Sequence, residues 1–197
     1  KFRRFFDRTT RFSHDQVNVI ALHVTPDNMI FAGTETGELL IFTHSGNPVQ
    51  NGITEPHYTT SYSSVYGMAT TQNGTTWIAT SKGLFSHKMN NGGHIIASDE
   101  NAPPGLTCVE PYYDNVLWLG TMNRGVARYD TDKGTTSWLN ESSGLMNNRV
   151  VDMSMDLRSG YLWVATESGL SRFSLNHTDQ LREYTTLPSV YPNPFRR

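Results

Sequence analysis

The sequence predicts an all-β fold, and three observations carry that prediction. One phrase recurs four times, as MIFAGTETGELLIF, TTWIATSKGLFSH, VLWLGTMNRGVARY and YLWVATESGLSRF. The stretches around it alternate apolar with polar or small residues, which is the pattern of half-buried strands. No stretch keeps an apolar period of about 3.6 residues, so we expect little helix. Antiparallel four-stranded units that repeat every 40 to 50 residues or so are typical of β-propeller blades.

Each unit carries the same landmarks: a turn dipeptide, a large aromatic, a threonine after Gly or Ala, and a glycine at the next bend. The aromatics are Phe31, Trp77, Trp118 and Trp163, the threonines are Thr34, Thr80, Thr121 and Thr166, and the glycines are Gly37, Gly83, Gly125 and Gly169. We expect the aromatic to fill the space between neighbouring blades. The small Gly or Ala two residues after the aromatic allows neighbouring strands to approach closely, and the bend glycine permits a positive φ.

The strands of a blade can be read in order in the last unit. VVDMSMDL is the inner strand, YLWVAT the second, LSRFSL the third and LREYTTL the outer strand. The third unit reads likewise as TCVEPYY, VLWLGT, GVARYD and TTSWLN. The same four-strand order is therefore expected in every blade.

The N-terminal stretch adds an outer strand that has no blade of its own. Aligning it with the third unit places Phe5 over Trp138 and Val17 over Val150. Residues 2–7 are then the outer strand of a preceding blade, which leaves four sets of inner strands and five outer strands. We therefore predict that residues 1–187 are a partial β-propeller of about four blades, part of a larger ring. Residues 188–197 are predicted to be a linker towards a C-terminal domain.

Composition and motifs argue against several classes of partner, cofactor and activity. The net charge is −2 and 17% of residues are charged, so we expect no nucleic-acid partner. The single cysteine, Cys108, forms no internal disulfide and is read as a small core residue. The seven histidines lack metal-binding spacing, and we expect His44 and His87 at the surface. Nucleotide and hydrolase motifs are absent, as are a membrane-spanning segment and a signal peptide. No cofactor, no metal and no enzymatic activity are predicted.

These units resemble the two-component regulator propeller repeat, whose consensus joins LWxGT, a glycine bend and a GLxRY-like strand. LWLGTMNRGVARYD and LWVATESGLSRF match it closely, and the resemblance extends over residues 2–187. Such propellers are known from periplasmic sensor regions of hybrid histidine kinases in Bacteroidetes, and from a surface component of the type IX secretion system. VYPNPFRR (190–197) is similar to the phrase that opens the C-terminal immunoglobulin-like sorting domain of type IX secretion proteins. The resemblance implies an extracytoplasmic location in a Gram-negative bacterium.

Three functions are compatible with this resemblance. The leading hypothesis is a non-catalytic recognition scaffold in type IX secretion or surface attachment, with proteins of a surface complex as partners. The alternative is a periplasmic sensor propeller of a hybrid kinase, with an oligosaccharide ligand. A polysaccharide lyase or glycosidase would need a clustered acid–base pair. Asp152 and Asp156 share one face of a strand, but Asp156 begins a turn, and we interpret both as structural.

The candidate site follows from propeller topology. Loops from an outer to the next inner strand, and from a second to a third strand, gather on one face; here the long ones are 9–16, 56–64, 99–106 and 140–149. The candidate ligand- or partner-binding residues on that face are His14, Asp15, His57, Tyr58, Arg124, Asn148 and Arg149, with Asp99, Glu100 and Asn147 beside them. Arg124 is the most distinctive, because it enlarges a bend that reads TESG or TSKG elsewhere to TMNRG. We expect it to project as a cation.

Overall fold

The computed structural model describes residues 18–43, 57–59, 63–90, 93–175 and 189–191, and only the backbone of 57–59, 89–90, 93–95 and 189–191. Within these ranges there is no α-helix, and the one helical element is a 3-10 turn at Glu141–Ser143. The strands form four sheets of four strands each. All pairings between neighbouring strands are antiparallel and follow chain order.

Each sheet is one blade, and the chain divides into two compact units, Lys1–Asp99 and Glu100–Arg197. Unit 1 contains blades 1 and 2. The strands of blade 1 are β1 Val19–Val24, β2 Ile30–Thr34, β3 Glu38–Phe42 and β4 His57–Thr59. The strands of blade 2 are β5 Val65–Thr70, β6 Thr76–Thr80, β7 Gly83–Asn90 and β8 Gly93–Asp99.

Unit 2 contains blades 3 and 4. The strands of blade 3 are β9 Leu106–Tyr113, β10 Val116–Thr121, β11 Val126–Asp130 and β12 Thr135–Leu139. The strands of blade 4 are β13 Val150–Asp156, β14 Tyr161–Thr166, β15 Gly169–Ser174 and β16 Ser189–Tyr191. Four-stranded antiparallel blades and a nearly all-β chain confirm the predicted fold class.

The repeated threonine closes the bend between the second and third strands. Its hydroxyl donates to the carbonyl of the bend glycine in three blades, from Thr80 to Gly83 at 2.8 Å, from Thr121 to Gly125 at 2.7 Å, and from Thr166 to Gly169 at 2.9 Å. In blade 1 the Thr34 hydroxyl instead accepts from the backbone N–H of Glu38 at 2.8 Å. The hydroxyl satisfies backbone groups that a tight, buried bend would leave without partners. The recurring Thr and Gly are therefore a turn device.

Two small residues of the repeated phrase let neighbouring blades approach closely, as predicted. A Cβ placed on Gly33 would lie 2.4 Å from Val65 Cγ1, which belongs to the inner strand of blade 2. A Cβ on Gly120 would lie 2.8 Å from Val150 Cγ1 of blade 4 and 2.4 Å from Cys108 Sγ. All three distances are too short for real contacts, so the glycines are required by packing.

One core cluster lies between the paired blades of each unit. In unit 1 it comprises Ala21, Phe31, Leu39, Ile41, Val65, Ile78 and Phe85. In unit 2 it comprises Cys108, Trp118, Val126, Leu139, Leu145, Val150, Met153, Leu162, Val164 and Phe173. Phe31 and Trp118 therefore fill the space between blades, as the sequence predicts. A single sheet could not bury such residues, which is why the unit must repeat.

Some predicted boundaries lie elsewhere in the structure. His57 and Tyr58, assigned to a loop, lie in β4, where their backbones pair with Leu40 and Leu39. Ser189–Tyr191, assigned to a linker, forms the outer strand of blade 4 and pairs with β15. A β-branched and an aromatic residue in this segment suit an edge strand. The segments 2–7 and 181–187, predicted as outer strands, fall outside the described residues.

Candidate functional site

In every blade one hydrogen bond joins the bend after the second strand to the start of the inner strand. The residue after the repeated threonine donates its backbone N–H to the backbone carbonyl of a residue at the start of the inner strand. The pairs are Glu35 to Asn18 at 3.0 Å, Ser81 to Ser64 at 3.2 Å, Met122 to Gly105 at 2.9 Å, and Glu167 to Arg149 at 3.2 Å. In the described residues, the end of the connection before each inner strand therefore lies beside the bend, at one edge of the blade that we call the loop edge.

On the loop edge of unit 2, segment 140–149 connects the bends of blades 3 and 4. The backbone N–H of Gly125 donates to the carbonyl of Asn148 at 2.8 Å, and the side chain of Asn147 donates to Ser168 Oγ at 3.2 Å. Gly125 is the sequence neighbour of Arg124, and Arg149 is the sequence neighbour of Asn148, so this hydrogen bond brings the two arginines to the same part of the loop edge. Three predicted site residues are brought together. His14 and Asp15 lie outside the described residues, and His57 and Tyr58 lie in β4.

The Arg124 side chain is exposed and stacks on an aromatic ring. Its guanidinium carbon lies 4.0 Å from the centre of the Trp138 ring, on the outer strand of the same blade. The backbone N–H of Arg124 is bound to Thr121 Oγ1 at 2.9 Å, which fixes the bend beneath it. A guanidinium above an indole ring presents a cation and an aromatic surface together. Trp138 was missed as a site residue, although its alignment with Phe5 had marked an aromatic position in the outer strand.

Asn148 and Arg149 have different roles on the loop edge. The side-chain oxygen of Asn148 accepts from the backbone N–H of Glu141 at 3.0 Å, and the backbone N–H of Asn148 donates to Glu141 Oε1 at 2.9 Å. This reciprocal pair holds the 3-10 turn against the bend of blade 3. Arg149 Nε lies 2.8 Å from Glu167 Oε1, and both side chains are mostly exposed. Solvent screening weakens the attraction within such an exposed ion pair. Either charge can therefore form a new ion pair with a binding partner.

A pocket of about 430 Å³ lies in unit 1 at the opposite edge, where the turns after β1 and β5 meet. Its walls include Met29, Phe31, Thr70, Thr76, His87 and Lys88. His23 Nε2 lies 2.8 Å from Thr70 Oγ1, which lies 2.9 Å from Thr76 Oγ1. Its size is within the range of small-molecule sites.

His87 is in β7 and buried, so its predicted surface position is wrong. Its ring stands nearly perpendicular to that of Phe31, with the centres 4.9 Å apart. The register places it opposite Thr76, on the face that packs between the blades of unit 1. Burial lowers the pKa of neighbouring His23, which keeps that ring neutral at pH 7.

Sequence reasoning did not predict that two carboxyl groups on neighbouring inner strands, those of Glu110 and Asp152, form a pair. Glu110 pairs with Trp118 on the interior side of blade 3, and its neighbour is Asp152 on the inner strand of blade 4. Burial, followed by repulsion from Asp152, raises the pKa of Glu110 to about 7. The charge inside the alternating stretch TCVEPYY was the available signal. Asp156 accepts from the backbone N–H of Ser159 at 3.1 Å, which confirms its role in a turn.

The described parts of the chain show neither a metal site nor a reactive thiol. No group of three or more His, Cys, Asp or Glu that could hold a metal is found among them. Cys108 is buried, and burial raises its pKa to about 12, so the thiolate does not form at neutral pH. None of their helices has the length and apolar character needed to span a membrane.

No protein-family model and no curated protein matches the sequence. Solved structures do match. The extracellular domain of the hybrid two-component system BT4673 from B. thetaiotaomicron is 18% identical with a TM-score of 0.63. The match covers 80% of this chain and 20% of that one. The chain therefore spans about a fifth of that domain.

Two further structures share the fold. PorZ, a bacterial surface component of the type IX secretion system of Porphyromonas gingivalis, is 16% identical with a TM-score of 0.57, over 81% of this chain and 26% of PorZ. The catalytically inactive H270A virginiamycin B lyase from Staphylococcus aureus is 15% identical with a TM-score of 0.63, over 90% of this chain and 56% of the lyase. Identities this low show the fold, and one fold hosts many functions. The chain is built from β-propeller blades similar to those of two-component sensor domains and PorZ.

Proposed function

We propose that the chain is part of an exported, non-catalytic recognition propeller, a surface component of the PorZ type in secretion or attachment. The observation that carries this proposal is the loop edge of unit 2. There the Arg124–Trp138 stack lies beside the exposed charges of Arg149 and Glu167. The fold shared with PorZ supports it, as does the YPNPF phrase in the sequence.

The loop edge has the chemistry of a protein interface. Arginine and tryptophan are the residues most enriched among those that dominate binding energy, and exposed ion pairs around them set orientation. Segment 140–149 is held by the Asn148–Glu141 bonds, so the surface is preorganised before a partner arrives. A preorganised surface with a cation, an aromatic ring and an exposed ion pair favours a folded protein over a small molecule.

The proposal is tested in the bacterium that encodes the chain. Arg124→Glu reverses the charge on the stack. The control is Lys133→Ala, which removes an exposed cation that pairs with buried Asp130 in the turn at the far end of β11. We expect Arg124→Glu to reduce secretion or surface display of cargo proteins at least tenfold, and the control to leave it unchanged. Protease treatment of intact cells should degrade the protein. Normal display with Arg124→Glu, or protection of the protein in intact cells, would refute the proposal.

The pocket of unit 1 favours a second function, a ligand-sensing propeller of a two-component system. Its walls combine an apolar floor at Met29 and Phe31 with the Thr70–Thr76 hydroxyls, which suits the mixed faces of a sugar ring. Titration with an oligosaccharide panel tests this. Saturable binding that is lost in Thr76→Val and retained in Arg124→Glu would favour the sensor over the scaffold.

The proposal assigns no catalytic residue. The Glu110–Asp152 pair is the one described feature that could serve an acid–base reaction, since Glu110 titrates near neutral pH. Incubation with a polysaccharide panel is the relevant test. Turnover that disappears in Glu110→Gln would replace recognition by an enzymatic function.

A further inference from the structure

The first hairpin of blade 3 departs from the pattern that the other blades follow. Its strands β9 and β10 are joined by two residues, Asp114 and Asn115, whereas the equivalent connections have five residues in blades 1 and 2 and four in blade 4. Each of the four described inner strands has a register shift near its start, and of these strands only β9 has a second one. There Val116 pairs with Tyr113 and the next residue of β10 pairs with Pro111, so Tyr112 forms a β-bulge.

The bulge brings two tyrosine rings to one side of the strand. Consecutive residues of a regular strand point to opposite faces of the sheet. The rings of Tyr112 and Tyr113 instead lie with their centres 4.2 Å apart and their planes tilted by 50°. Tyr112 packs against the core between blades 3 and 4, whereas Tyr113 is 56% exposed. The other blades pack without this bulge, so it serves to direct an aromatic side chain towards solvent, as bulges near binding sites do.

Exposed carboxylates lie in the turns next to Tyr113. The backbone N–H of Thr131 donates to the carbonyl of Asn115 at 2.9 Å, and the Asn115 side chain donates to Asp132 Oδ2 at 3.1 Å. These bonds join the turn after β9 to the turn after β11. Asp114 is exposed in the first of these turns and Asp132 in the second. We call Tyr113, Asp114 and Asp132 the tyrosine surface.

The cations near the tyrosine surface interact with other carboxylates. Lys133 Nζ lies 2.9 Å from Asp130 Oδ2, and the Asp130 side chain is buried. Arg158, in the turn after β13 of the neighbouring blade, attracts the carboxylate of Asp156. The two joined turns of blade 3 and their strand ends thus carry three carboxylates and one lysine, which leaves the tyrosine surface negatively charged.

We infer that the tyrosine surface binds an arginine side chain of a protein partner. A guanidinium is attracted to the face of a tyrosine ring and forms paired hydrogen bonds with a carboxylate. Unit 2 already contains such stacks, with Arg124 Cζ 4.0 Å from the centre of the Trp138 ring and Arg172 Cζ 4.1 Å from that of Tyr161. Within the described part of the chain no arginine stacks on Tyr113. The exposed ring and the carboxylates beside it therefore complement a cation from outside the chain.

The inference is tested by titrating a fluorescent hexa-arginine peptide with the purified 197-residue protein at physiological salt and following its anisotropy. We expect saturable binding, at least about fivefold tighter than that of a hexalysine peptide, because the ammonium group lacks the planar, paired geometry. Tyr113→Ala and Asp114→Asn should each weaken it at least about threefold, and Tyr113→Phe should retain it, since the ring receives the cation. Tyr66→Ala is the matched control, because Tyr66 is an exposed tyrosine of an inner strand in unit 1.

Circular dichroism shows whether each variant is folded, and Asp114→Asn decides the question if Tyr113→Ala is not. Equal binding of the two peptides would overturn the inference, as would hexa-arginine binding that Tyr113→Ala and Asp114→Asn leave unchanged. A neutral oligosaccharide whose binding depends on Tyr113 while hexa-arginine binding does not would also overturn it. The tyrosine surface and the loop edge lie at opposite ends of β9, so this result is independent of the secretion assay.

Discussion

Gly120 offers the sharpest test of how blades 3 and 4 are packed. Gly120→Ala adds a methyl group that would lie 2.4 Å from Cys108 Sγ, 2.8 Å from Val150 Cγ1 and 3.0 Å from Thr107 Oγ1. Overpacking of this kind costs about 1–3 kcal/mol. The lower entropy of alanine in the unfolded chain offsets about 0.4–1 kcal/mol of it. We therefore expect a net loss of about 1–2 kcal/mol in the free energy of unfolding.

The assay is urea unfolding followed by tryptophan fluorescence, with a thermal melt beside it. For a protein of this length the expected loss lowers the melting temperature by about 2–8 °C. The repeat supplies a reason to expect rescue, because blade 2 has alanine at this position, Ala79, opposite Gly67 rather than a cysteine. Cys108→Ala removes the nearest clash, so the double variant should be more stable than the sum of the single effects by at least about 0.5 kcal/mol.

Either of two results would refute this reasoning. If Gly120→Ala is as stable as the unmodified protein, blades 3 and 4 do not meet as closely as the structure shows. If the two substitutions are additive within about 0.3 kcal/mol, Cys108 is not the group that the new methyl displaces. An unchanged slope of the urea transition checks that the unfolded states are comparable.

Three further predictions follow from the contacts described above. Thr121→Val leaves the backbone N–H of Arg124 without its partner and should cost about 1–3 kcal/mol by urea unfolding; an unchanged midpoint would contradict the turn role of the hydroxyl. Because the pKa of Glu110 is raised to about 7 in the folded state, its contribution to stability is full below its ordinary value of 4.5 and is lost as pH rises through 7. Glu110→Gln should thus remove the decline between pH 5 and 8, of about 1–2 kcal/mol after solvent screening, and equal slopes for both proteins would refute it. Arg124→Ala should cost no more than about 1 kcal/mol in a thermal melt, because the stack on Trp138 is exposed; a larger loss would make it structural.

The sequence by itself determined the period, the strand order and the bends of this protein. Alternation of apolar residues, the Thr–Gly bend and turn dipeptides act over a few residues, so the physics that forms them is readable in one repeat. The strands VLWLGT and YLWVAT begin and end where they were predicted, and segment 140–149 is the predicted loop. Outer strands were harder to place, since His57–Thr59 and Ser189–Tyr191 are short edge strands with weak alternation.

Only the tertiary structure decided which equivalent residues are buried and which are exposed. Leu22 and Met153 are both apolar and occupy the same position of a strand, yet one is exposed and the other lies in the core between blades. Arg124 rests on Trp138 because the outer strand of blade 3 passes beside its bend. The pKa of Glu110 is raised to about 7 beside Asp152 because the inner strands of two different blades bring these carboxyl groups together. Such contacts depend on which faces of the sheets pack against each other. A pattern within a few residues of the chain does not determine that packing.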